Sequence, residues 1–189
     1  MTISASDVKK LRDMTGAGMM DAKKALTESN SDFDAAVKYL REKGLADSKK
    51  RADKEANQGT IGDYIHYQQD RAVSGVLVEL ACETDFVAKS EEFKDSAKQI
   101  AMHIAAMKPN YLNIEDIPDS KLAEEKEIIA KQSENEGKPA DVIEKIVEGR
   151  ITSFYKDNVL NEQIFCNPEI YEGKVSTMIE EMSGKLGEK

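Results

Sequence analysis

The sequence predicts an α+β protein: an N-terminal module of three helices, a charged helical linker, a small antiparallel sheet packed by helices, and a helical hairpin. Three observations predict it. Apolar residues recur at helical spacing through the first 45 positions, and the period changes to two between Thr60 and Cys82. Two further helical stretches then follow, separated only by the break around Gly137-Lys138-Pro139. In chain order these give a three-helix module at 1–45, a linker at 46–58 and an α+β core at 59–110. A helical hairpin at 111–160 and a C-terminal segment at 161–189 that returns to the core complete the division.

The first helix is expected from about Ser6, a plausible N-cap, to Met14, with Val8 and Leu11 on one face. Glycines at 16 and 18 permit positive φ and let the chain reverse. The second helix runs from about Met19 to Ser29 and turns Ala22, Ala25 and Leu26 inward. Asp32 can cap a third, in which Phe33, Ala36, Val37 and Leu40 share a face and Gly44 supplies the stop. Ala46–Gln58 carries both signs of charge with few large apolar residues, which suits an exposed helical connector ended by Gly59.

Thr60–Tyr67 and Val73–Cys82 read as strands joined through Gln68-Gln69-Asp70-Arg71. Val76, Val78 and Leu80 alternate with Leu77, Glu79 and Ala81, so one face of the sheet is well covered. Ser90 can cap the next helix, whose stripe is Phe93, Ala97, Ile100, Ala101 and Ile104 and which ends before Pro109. Asp119–Glu136 is a highly charged helix broken at Gly137, and Pro139 stands where a first-turn proline is tolerated. Val142, Ile146, Val147, Ile151 and Phe154 form the stripe of its antiparallel partner. An irregular stretch through Cys166-Asn167-Pro168 leads to a last helix near Lys174–Lys185.

Composition excludes several functions. The formal charge of −9 is uneven: residues 1–56 are net +2, and residues 57–189 are net −11. An acidic body argues against direct nucleic-acid binding, which needs clustered Lys and Arg, and suits a protein that meets another protein. No apolar run is long enough to cross a bilayer, and the N-terminus has neither region of a signal peptide. The expected compartment is the cytoplasm. Cys82 and Cys166, without C-x-x-C spacing, indicate neither a zinc site nor a disulfide framework, and free thiols are expected.

Chemistry is sparse. The two histidines, His66 and His103, fall in different elements, and His103 sits between Ile100 and Ile104 as a structural core residue would. Gly16 and Gly18 complete no phosphate-binding loop, and no carboxylate pair has a spacing that singles out acid–base work. No cofactor or metal is expected, and the chain does not read as an enzyme. Two segments do stand out. Met19 and Met20 open a helix, where they are either core residues or an adaptable binding surface. Glu83-Thr84-Asp85-Phe86-Val87-Ala88 reads as a loop between a strand and a capped helix. Phe86 either folds back on the core or enters a partner's pocket as a wedge between the carboxylates at 83 and 85.

These two segments carry a resemblance. Leu11-Arg12-Asp13-Met14-Thr15-Gly16-Ala17-Gly18-Met19-Met20-Asp21-Ala22-Lys23-Lys24-Ala25-Leu26 and Cys82-Glu83-Thr84-Asp85-Phe86-Val87-Ala88 resemble the bacterial elongation factor Ts family. The likeness continues through Met102-His103-Ile104-Ala105, Gly137-Lys138-Pro139, Glu144–Arg150 and Leu160–Phe165, in order, over nearly the whole chain. The resemblance implies an N-terminal module of the ubiquitin-associated type. It also implies guanine-nucleotide exchange on the translational GTPase EF-Tu, with release of Mg²⁺ and GDP. On that basis Thr84, Asp85, Phe86 and Val87 enter the GTPase beside its Mg²⁺ site, and Arg12, Met19 and Met20 grip the same domain. His66 maps, less directly, to the surface facing EF-Tu's third domain.

There are departures. Ala81 stands where the family often has Asn, and Ala22 where it often has Cys. Gly184–Lys189 resembles the start of a segment that the family usually continues into a basic, aromatic strand, which implies an unpaired sheet edge here. Longer relatives carry two copies of the core half and this chain carries one, so the resemblance implies a homodimer. The competing reading is a helical adaptor for another protein, in which residues 84–87 are merely structural.

Overall fold

The computed structural model describes residues 3–15, 17–50 and 55–187, with the backbone alone at 45–50. Gly16 and residues 51–54 of the expected linker lie outside them. The architecture is α+β: eight α-helices and one two-stranded sheet among the described residues. Two compact units arise, one from Met1–Ile61, Glu79–Asp95 and Met178–Lys189, the other from Gly62–Val78 and Ser96–Thr177.

The first unit opens with α1 (Ala5–Thr15), α2 (Met19–Glu28) and α3 (Phe33–Lys50). Val8, Leu11, Ala22, Ala25, Leu26 and Ala36 form their core, with Phe33, Val37 and Leu40 packed around it. The cap of α1 is Ser4, not the expected Ser6: its hydroxyl accepts from Asp7 N–H at 3.1 Å. Its own N–H donates to the Asp7 carboxylate at 3.3 Å, a reciprocal box that Ser6 cannot make with Lys9. Gly18 is extended at φ −61°, so the turn there does not use the freedom of glycine. Asp32 caps α3 as expected, accepting from Ala35 N–H at 3.0 Å.

Gly44 does not end α3, which continues to Lys50. Its service is close packing. The helix α8 (Val175–Leu186) passes so near that a Cβ on Gly184 would lie 2.6 Å from the Gly44 carbonyl oxygen. Ion pairs of Arg41 with Glu181 and Lys43 with Asp21 flank this approach. A second cluster of the same unit gathers Cys82, Ala88 and Phe93, with Leu80, Val87, Met182 and Leu186 against it.

The sheet is β1 (Gln58–Gln68) and β2 (Arg71–Cys82), turning at Gln69 with φ +56°. In β2, residues 76, 78, 80 and 82 are covered and their odd neighbours exposed, the alternation expected of a one-sided sheet. The helix α5 (Glu91–Met107) brings Ala97 against β1 in the second unit. A Cβ on buried Gly62 would fall 2.3 Å from the Ala97 carbonyl carbon and oxygen, so only glycine fits.

Beyond α5, the charged α6 (Asp119–Asn135) packs on α7 (Ala140–Asn158) across Gly137 at φ +72°. Val142 is exposed, contrary to the expected stripe; the covered apolar positions on α7 are Ile143, Ile146, Val147, Ile151, Phe154 and Tyr155, so the rest of the stripe holds. One residue of phase separates Val142 from Ile143, and the contact with α6 selects the second. Pro139 is the N-cap of α7 rather than its first-turn residue.

His103 is fully buried, as a core histidine should be. Its ring stacks on Phe165 at 5.3 Å. Nδ1 accepts from Cys166 N–H at 3.1 Å, so the ring proton sits on Nε2 and donates to Gln163 Oε1 at 2.9 Å. Gln163 in turn donates to the Asp157 carbonyl at 2.9 Å. Burial lowers the His103 pKa, partly opposed by the bond to Gln163. Cys82 and Cys166 are both free thiols.

Two outcomes are expected. Gly62→Ala places its methyl in backbone that cannot yield, and a urea midpoint should report a loss of about 1–3 kcal/mol. His103 is neutral when folded and binds a proton more readily when unfolded. Its contribution is therefore complete above about pH 6.5 and declines as pH falls below it. Melting temperatures should drop from about pH 7.5 to about pH 5.5, and more steeply than in His103→Phe, which keeps the stack but cannot titrate.

Candidate functional site

The segment after β2 is a short helix rather than the loop its polar residues suggest. Thr84, extended at φ −125°, caps α4 (Asp85–Lys89), its hydroxyl accepting from Val87 N–H at 3.4 Å. The opposite end closes at Ser90, whose hydroxyl donates to the Val87 carbonyl at 2.8 Å. The same oxygen accepts from Phe93 N–H at 3.3 Å and so starts α5, the capping role expected of it. Cys82 secures the entry, its thiol donating to the Thr84 carbonyl at 3.2 Å. A single helical turn thus stands between two capped ends.

This framing sorts the four expected partner-binding residues. Val87 packs inward with Ala88 against Cys82 and Phe93. Thr84 is engaged by its cap. Phe86 points out and is 83% exposed, the most open large apolar side chain of those described. Keeping it in water forgoes roughly 1.5–3 kcal/mol of burial, so core packing does not explain why an aromatic stands at this outward position. Asp85 is exposed beside it, paired with Lys89 at 2.7 Å. That hydrogen bond and the ammonium charge hold the Asp85 carboxyl below its ordinary value, so it is ionised at neutral pH.

A second exposed apolar group belongs to the same unit, at the junction of α1 and α2. Met19 is 49% exposed and Met20 76%, which decides between the two readings of this helix start: neither is core. Arg12 is exposed on α1, one turn before the junction. Met14, 60% exposed, joins the methionines as a residue that periodicity misassigns, since it follows Val8 and Leu11 at spacing three. The one available signal was its place beside the turn that ends α1.

His66 lies on β1 in the second unit, exposed, with Nδ1 3.3 Å from the Tyr64 hydroxyl. Among the described residues no group of three or more His, Cys, Asp or Glu side chains is disposed to hold a metal ion. No described helix is long and apolar enough to cross a membrane. The geometry offers an apolar projection beside a carboxylate and a methionine-rich edge, both means of contact.

Known proteins share this pattern along the whole chain. The family model described as Elongation factor TS matches residues 3–189. Elongation factor Ts of Moorella thermoacetica is 51% identical over 99% of this chain and 90% of its own length. Elongation factor Ts of Caldanaerobacter subterraneus is 52% identical over 98% and 90%. That of Fervidobacterium nodosum is 48% identical over 100% and 93%. At this identity and coverage, the chain belongs to the elongation factor Ts family of translation elongation factors.

Proposed function

We propose that this chain is a guanine-nucleotide exchange factor acting on EF-Tu in the cytoplasm, without a cofactor and without breaking a bond. The observation that carries the reading is Phe86, held open on a helix whose two ends are capped. In this reading Phe86 enters the GTPase as a wedge between helices, and the ionised Asp85 disturbs the contacts that hold the partner's Mg²⁺. Removing a divalent cation from a diphosphate site removes the largest local charge there, and GDP leaves. Thr84 and Val87 hold the wedge in place from within the segment. Arg12, Met19 and Met20 grip the same partner, and Met14 extends that edge. His66 contributes a contact to the partner's third domain.

Exchange of this kind is linkage. A factor that binds the nucleotide-free GTPase more tightly weakens nucleotide binding by the same ratio, so it speeds release and loading alike. Stopped-flow release of a fluorescent GDP analogue from EF-Tu tests the reading. The chain should accelerate release. Phe86→Ala should abolish most of that acceleration while leaving the melting temperature nearly unchanged, since the side chain is exposed. A loss of about 3–5 kcal/mol of stability would instead make Phe86 a packing residue and end the wedge account. Binding without any acceleration would favour the adaptor reading.

We also propose a homodimer. The outward face of the hairpin carries Ile65, Tyr67, Val73 and Leu77, all exposed and on alternate positions of two paired strands. A contiguous apolar face of this kind marks an interaction surface. Light scattering at micromolar concentration should give twice the chain mass, and Leu77→Glu, which alters a 76% exposed position, should give the monomer. A monomeric parent chain removes the proposal.

A further inference from the structure

The helical hairpin carries a surface that the exchange reading does not use. Between α6 and α7 of the second unit runs an open groove of about 770 Å³. Ala130 of α6 and Ile143, Val147 and Ile151 of α7 form its floor, and Tyr155 closes one end. On α7 the groove extends from Ala140 to Tyr155, about four helical turns or roughly 22 Å. Two antiparallel helices leave such a seam for a third, and apolar seams of this length recognise helices by their i, i+3, i+4 and i+7 residues.

The rim selects which helix. Glu144 and Glu148 stand one turn apart along the α7 side, and no ion pair engages either among the described residues. On the α6 side Glu127 is already matched by Lys131, leaving Lys126 as the cation of that edge. An occupant therefore needs apolar residues toward the floor and lysine or arginine four residues apart toward α7. The net charge of −11 over residues 57–189 would draw such a helix in from solution. A second copy of the chain fits poorly, because it would set its own Glu144 and Glu148 row against this one.

We propose that the α6–α7 groove is a docking site for a basic amphipathic helix of a protein partner, seated on the half-buried Ile143 and Val147 and fixed in register by Glu144 and Glu148. The probe is a fluorescein-labelled peptide of about 16 residues, with leucines at helical heptad spacing and lysines flanking them. Its twin carries glutamate at every lysine. Anisotropy titrations on the full chain should show the lysine peptide binding roughly tenfold or more tightly than the twin. The double variant Glu144→Lys/Glu148→Lys, altered only at exposed positions, should reverse that preference. Amide shifts on binding should cluster at Ala130, Ile143, Val147 and Ile151. A preference that survives the double variant, shifts spread over the acidic surface, or no binding of either peptide would overturn the proposal. A doubled mass of the chain alone, lost in the double variant, would also overturn it by making a second copy the occupant.

Discussion

The candidate site depends on one constraint: α4 is anchored from below and capped at both ends, so its outward residues have no inward alternative. Cys82, Ala88 and Phe93 bury the inner face, with Val87 against them. Thr84 and Ser90 then satisfy the backbone at each end through their hydroxyls. A five-residue helix has almost no stability of its own, because nucleation costs more than so few hydrogen bonds return. Tertiary anchoring and caps supply what length cannot. Once residues 87 and 88 are committed inward, Phe86 can only face solvent. Its exposure is a consequence of its neighbours.

The exposed methionines rest on a different arrangement. The three-helix cluster closes with Leu11 and Leu26 at its centre, and the α1–α2 junction stands where that core ends. Met14 lies just before that junction and Met19 and Met20 just after it, all exposed, with unbranched side chains that can take several conformations at little cost. A branched or aromatic residue would have been harder to leave in water without a fixed partner. The two exposed apolar groups of this unit thus differ in kind: an aromatic on a fixed turn and thioethers on a helix junction.

Much of the fold was legible because it rests on periodicity. The sheet, its polar turn, the buried stripe of α5 and the break at Gly137 each follow from spacing and turn chemistry that local sequence contains. The misses share a cause, which is that a distant element decided a local choice. Gly44 carries the signature of a helix stop, yet its lack of a side chain serves the approach of Gly184, about 140 positions later. Val142 and Ile143 fit an apolar stripe equally well until α6 selects the phase. Residues 85–89 look like a loop because they are few and follow the polar Glu83-Thr84, and only their anchoring to Cys82 and Phe93 makes them helical. Ser4 and Ser6 are both good caps by type, and the reciprocal partner at Asp7 decides for Ser4. Of the candidate site, the identities of Phe86, Met19 and Met20 were legible. Their exposure was not, since an apolar residue beside a core is compatible with either side.

The contrast between a fixed aromatic and adaptable methionines suits the exchange reading on energetic grounds. A factor that forces nucleotide release must distinguish two states of its partner, because equal affinity for both shifts nothing. A rigid projection does this well. It meets steric opposition in the nucleotide-bound state and fills a pocket in the open one, and it cannot relax to fit both. A grip that must hold through the transition has the opposite requirement, which flexible thioether side chains meet by repacking without losing contact area. The Asp85–Lys89 pair fits the same scheme. At 2.7 Å on an exposed turn it is worth little to stability, so a competing cation can draw the carboxylate away at small cost. On that reading discrimination would reside in α4 and retention in the α1–α2 edge, each set by how the surrounding chain is packed.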